Sequence, residues 1–155
     1  MKTLIKGILV FAIVSLAFIG FANADEKIAG LSNEAAEKKA IAHQTKGNAY
    51  DDDGKLNDAI IEYKESLKYS PDNVDTLFNL GTAYLKANKP QEAASTFEKV
   101  VKIDPNDFEA YNLLGIAYRG CGKYDDAKKS WEKSLAINPN QAKVKQMMND
   151  KMSQK

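Results

Sequence analysis

One unit of 34 residues is written three times between Ala40 and Gln141, and that period constrains the fold more than any other property of the chain. Pro71, Pro105 and Pro139 stand one period apart, as do Gly47, Gly81 and Gly115; Tyr50, Tyr84 and Tyr118; and Ala59, Ala93 and Ala127. A large aromatic recurs in the same register at Tyr63, Phe97 and Trp131. A residue that tolerates a left-handed backbone recurs at Gly54, Asn88 and Gly122. Repetition at this length marks stacked supersecondary units, each too small to bury its own apolar face.

Each shared residue has a physical task. Two antiparallel helices approach closely only where side chains are small, so Gly47 with Ala59, Gly81 with Ala93, and Gly115 with Ala127 read as contact points within helix pairs. The aromatic residue fills the space beside each contact. Gly54, Asn88 and Gly122 end the first helix of each pair, and each proline stops the second. Pro71-Asp72-Asn73, Pro105-Asn106-Asp107 and Pro139-Asn140-Gln141 are expected to stop one helix and cap the next. The pattern predicts helices at about 74–87, 90–103, 108–121 and 124–137.

This arrangement resembles the tetratricopeptide repeat family. The resemblance implies an all-α, right-handed α-solenoid of three helix-turn-helix repeats, at residues 40–73, 74–107 and 108–141, with residues 142–155 as a C-terminal capping helix. It also implies a concave wall lined by the first helix of each pair. Carried over by position, the wall comprises Gln44, Asn48 and Asp51; Asp75, Phe78, Asn79, Thr82, Leu85 and Lys86; and Glu109, Asn112, Ile116 and Arg119. The peptide-binding groove is expected at Gln44, Asn48, Phe78, Asn79, Thr82, Leu85, Asn112, Ile116 and Arg119. There the three asparagines offer hydrogen bonds to a peptide backbone, Phe78, Leu85 and Ile116 offer apolar contact, and Arg119 suits a carboxylate. Some relatives clamp the terminal carboxylate of a chaperone with Lys, Asn and Arg. Asn48 and Asn79 match two of those slots, but Gln44, Glu109 and Leu113 replace the cations, so that ligand is not expected here.

The N-terminus reads separately from the repeats. Lys2 and Lys6 precede an apolar run from Gly7 to Phe21, and Ala22-Asn23-Ala24 fits a small-x-small cleavage rule. Residues 1–24 are therefore expected to be a signal peptide, placing the mature protein in the periplasm or outside the cell. The alternative is an uncleaved membrane anchor, since the apolar run of roughly 16 residues nearly spans a bilayer. Residues 25–39 form a lead-in and the start of a first helix expected to span about 33–52.

Without its first 24 residues the chain carries 20 basic and 21 acidic side chains. That balance gives no electrostatic basis for nucleic-acid binding. Cys121 stands alone, so no internal disulfide forms. His43 is the single histidine, and it occupies a slot filled by Leu77 and Tyr111 in the other copies. Lys46 likewise replaces Leu80 and Leu114, which suits the polar outer face of a terminal repeat. Asp51-Asp52-Asp53-Gly54 lacks the alternation of a calcium loop. Val144, Met148 and Met152 fall in register with Ala110, Leu114 and Tyr118, as a shield for the last pair.

No nucleophile, base or phosphate-loop constellation is present, so neither an enzyme nor a cofactor or metal site is expected. The expected function is a non-catalytic module that binds a peptide or protein segment, without membrane insertion of the mature chain. The alternative is a scaffold that self-associates through the solenoid.

Overall fold

The computed structural model describes residues 33–152, with side chains to 149; the expected signal peptide and lead-in at 1–32 lie outside the described residues. Among the described residues every regular element is a helix. Helix α1 comprises residues 33–52, followed by α2 (Leu56–Tyr69), α3 (Val74–Lys86), α4 (Pro90–Ile103), α5 (Phe108–Gly120), α6 (Tyr124–Ile137) and α7 (Ala142–Met152). Residues up to Lys38 and those from Lys39 onward form separate compact units. In the first, Lys38 pairs with Glu34 one helical turn away. The second contains all three repeats.

The turn chemistry repeats with the sequence. Gly54, Asn88 and Gly122 adopt φ of 73°, 56° and 75°. This left-handed step lets the next residue turn back: the N–H groups of Lys55, Lys89 and Lys123 donate to the carbonyls of Tyr50, Tyr84 and Tyr118 at 2.8–2.9 Å. The N–H groups of Gly54, Asn88 and Gly122 donate three residues back, to Asp51, Leu85 and Arg119, completing a Schellman motif in each copy. Pro90 occupies the first turn of α4, where its missing N–H leaves no bond unmade. At the other end of each pair the residue before the proline leaves the helical region, at Ser70, Asp104 and Asn138, because the ring disfavours a helical backbone there.

Asn73 and Asp107 cap α3 and α5, accepting from Thr76 N at 2.8 Å and Ala110 N at 2.9 Å. The third cap differs from expectation. Gln141 reaches backward, donating from Nε2 to the carbonyls of Ser134 and Asn138. One methylene more than asparagine carries its amide past the α7 N–H groups and onto the end of α6.

Within each pair the glycine faces the aromatic ring. A Cβ on Gly81 would lie 2.8 Å from the Phe97 ring and one on Gly47 2.7 Å from Tyr63, while one on Gly115 would overlap the Trp131 indole. Between pairs, each second helix packs on the next first helix. Ala59, Ile60 and Tyr63 of α2 meet Leu80 and Ala83 of α3, and Ala93, Ala94, Phe97 and Val100 of α4 meet Ala110, Leu114 and Ala117 of α5. Ala127 and Trp131 of α6 bury Val144 of α7, with Met147 and Met148 beside them. Val144 thus takes the slot that Ala110 fills one period earlier. Every buried face closes onto a neighbour in sequence, so the core is a continuous strip.

Candidate functional site

The first helices α1, α3 and α5 present one face that the second helices leave open. Along α5 it runs Glu109, Asn112, Ile116, Arg119, a spacing of three, four and three that keeps side chains on one side of a helix. One period earlier the same positions are Asp75, Phe78, Thr82 and Leu85, and two periods earlier Ile41, Gln44, Asn48 and Asp51. The expected wall residues other than Asn79 and Lys86 therefore fall into ordered rows. The rows also contain Ile41, 54% exposed, which was not among the residues expected from the sequence. An exposed isoleucine in register with Asp75 and Glu109 is the signal that would have found it.

The aromatic layer beneath fixes this face from below. Phe97 meets the ring of Phe78 edge to face, with centroids 5.7 Å apart. The Tyr63 hydroxyl donates to Asn48 Oδ1 at 2.9 Å. Trp131 Nε1 donates to the Asn112 carbonyl at 3.1 Å, and the Arg119 guanidinium lies over the Trp131 ring at 5.6 Å. Each aromatic thus passes under its glycine and ends against a wall residue, which makes Gly47, Gly81 and Gly115 the cause of wall geometry as well as of packing. Burial, reinforced by Asp51 and Asp52, pushes the Tyr63 hydroxyl up to about 12, so it remains a donor at neutral pH. Burial and the hydrogen bond to Glu98 raise Tyr118 as well.

The wall asparagines are less available than their sequence suggests. Asn79 Nδ2 donates to Asn48 Oδ1 at 3.1 Å, so the Asn48 oxygen already accepts two bonds and the two amides stitch α1 to α3. Asn112 Oδ1 is buried without a hydrogen-bond partner among the described residues. Lys86 Nζ pairs with Asp51 Oδ2 at 2.6 Å, again joining α1 to α3. Asp53 pairs with Lys55 at 2.9 Å. Phe78 and Leu85 are half-buried against the α3–α5 core, and Ile116 against the α6–α7 cluster. Gln44 and Thr82 are half-buried, with Thr82 Oγ1 donating to the Phe78 carbonyl.

His43 and Lys46 turn away from this face. His43 Nδ1 lies 2.7 Å from Glu62 Oε2, Lys46 Nζ bonds Glu62 Oε1, and the His43 ring stacks on Tyr69. These hydrogen bonds hold the Glu62 carboxyl below the ordinary carboxylate value, and they occupy His43 in a structural role. Glu62 stands in register with Thr96 and Ser130, so the polar slots of α1 and α2 compensate each other.

Helix pairs stacked through small-residue contacts, with one open face of first helices, define an α-helical repeat protein. A profile of the tetratricopeptide repeat matches residues 52–115 and 85–150. The chain belongs to the tetratricopeptide repeat family, and its fold is the all-α solenoid of that family. Among solved structures, the first such domain of Spaghetti (RPAP3), bound to the HSP90 peptide SRMEEVD, is 28% identical with a TM-score of 0.68, covering 72% of this chain and 89% of that one. The second domain of human RPAP3, in complex with the HSP70 peptide SGPTIEEVD, is 26% identical with a TM-score of 0.68, covering 73% and 94%. The C-terminal repeat domain of a Plasmodium falciparum putative FK506-binding protein is 26% identical with a TM-score of 0.69, covering 75% and 87%. Compared with the curated proteins, the sequence matches none.

Proposed function

We propose that this protein is a non-catalytic interaction module that holds a peptide or protein segment against the open face of α1, α3 and α5. The observation that carries the reading is the ordered face itself: half-buried Phe78, Leu85 and Ile116 alternate with polar side chains and rest on an aromatic layer that holds them in place. Apolar side chains left partly open on a rigid scaffold suit a ligand. Two neighbours of this fold are seen with chaperone peptides, which supports peptide binding as the use of the face. The same module is proposed to work in the periplasm or outside the cell, on the strength of Lys2, Lys6, the apolar run 7–21 and Ala22-Asn23-Ala24.

A photo-crosslinking residue placed at Phe78 in the native host tests this. Discrete adducts that disappear with Leu85→Ala and Ile116→Ala are expected, whereas equal labelling with and without those changes would defeat the reading.

A further inference from the structure

The face carries its unpaired charges at opposite ends. Asp75 and Glu109, in the first turns of α3 and α5, are exposed, and neither enters an ion pair among the described residues. Asp51 and Lys86 neutralise each other, and Arg119, in the last turn of α5, has the Trp131 ring as its neighbour and no carboxylate. Between these ends lie Phe78 and Ile116. Asn112, in the same stretch, has a buried oxygen without a hydrogen-bond donor, a deficit that rotation of its amide toward a bound backbone N–H would relieve.

We propose that this groove selects an extended segment of the form basic–x–apolar–x–acidic, with the basic side chain on Asp75 and Glu109 and the acidic one on Arg119. The inference rests on the groove being a peptide site and adds which peptide it takes. Glu109 and Arg119 are ten residues apart on one helix, which at 1.5 Å per residue is about 15 Å. In an extended chain, residues i, i+2 and i+4 project to one side and span about 13 Å, so side-chain reach closes the difference. The charge order opposes an acidic side chain two positions before the apolar one, where it would meet Asp75 and Glu109. The proposed segment thus carries a basic residue where the neighbours' peptides ending in EEVD carry a glutamate, two positions before the valine.

Fluorescence anisotropy with the full chain and three labelled probes decides the matter: acetyl-Ser-Lys-Ser-Leu-Ser-Glu-Ser-amide, the same peptide with Gln for Lys and Glu, and acetyl-Ser-Glu-Ser-Leu-Ser-Glu-Ser-amide. The first should bind about fivefold tighter than the second, and the third weakest, as two exposed charge contacts at modest salt imply. Asp75→Lys with Glu109→Lys, checked for unchanged helicity, should reverse the order of the first and third. Equal binding of the first two probes, or tightest binding of the third, overturns the charge rule and leaves the groove standing. Binding of none of the three, at concentrations where Phe78 crosslinks a partner, overturns the charge rule alone. The absence of both signals removes the groove reading with it.

Discussion

At the scale of single residues, Glu62 shows how a polar core position is tolerated. It is 8% exposed and has two polar partners on α1, His43 and Lys46, in slots that hold Leu77 with Leu80 and Tyr111 with Leu114 in the later copies. Removing only the carboxylate leaves His43 and Lys46 without their acceptor and opens a space beside them, so Glu62→Ala should lower the unfolding midpoint. Thermal unfolding checks this. The pH dependence has a definite sign. Because folding lowers the Glu62 carboxyl from its ordinary 4.5, the ionised form favours the fold above that value, and its contribution is lost as pH falls through the lowered folded value. Wild type should therefore lose more stability than Glu62→Gln on acidification below about pH 4.5. Tyr63 behaves in the opposite sense. Its folded value of about 12 means that the neutral hydroxyl favours the fold below the ordinary 10.0, and that this contribution fades as pH rises toward 12. Tyr63→Phe should remove one late step from the alkaline absorbance titration, and should free Asn48 Oδ1 from one of its two donors.

At the scale of helices, the boundaries were legible because the residues that set them act locally. A left-handed residue, a proline and a first-turn cap each act within a few positions, so α4 and α6 begin and end where the spacing placed them, and α3 and α5 stop one residue early. The groove was legible only in part. Its rows follow from helical spacing, but the Asn48–Asn79 and Lys86–Asp51 links join residues 31 and 35 positions apart. Those links depend on how neighbouring copies stack, and no single helix encodes that. The compensation of His43 and Lys46 by Glu62 was missed for the same reason, since it appears only when two helices are read in register together. Packing within a pair gives a sharp test. Gly81→Ala sets a methyl 2.8 Å from the Phe97 ring, and Phe97 is fully buried, so the ring has no free space to move into. A loss of about 1–3 kcal/mol in denaturant unfolding is expected, with Phe97→Leu restoring part of it in the double variant. Since Phe97 also supports Phe78 from below, the same substitution should weaken ligand binding at an exposed face it does not touch.

For the whole unit from Lys39 onward, stability follows from how many neighbours each helix has. Helices in the middle of a repeat array bury faces on both sides, and terminal ones on one side. In α3 and α5 the positions Thr76, Leu80, Ala83 and Ala110, Leu114, Ala117 are buried, whereas their counterparts Ala42, Lys46 and Ala49 in α1 are exposed. At the other end, α7 buries Val144 fully but keeps Met147 and Met148 half open. Opening from either end therefore uncovers less apolar surface than opening in the centre, and local unfolding should proceed inward. Native-state hydrogen exchange should find the slowest amides in α3, α4 and α5, with α7 and the 39–52 segment of α1 exchanging faster. Ligand should then protect α3 and α5 together, since the contacts assigned to it lie on both. Protection confined to a single pair would contradict both the shared face and the charge order assigned to it, because Asp75 lies on α3 while Glu109 and Arg119 lie on α5.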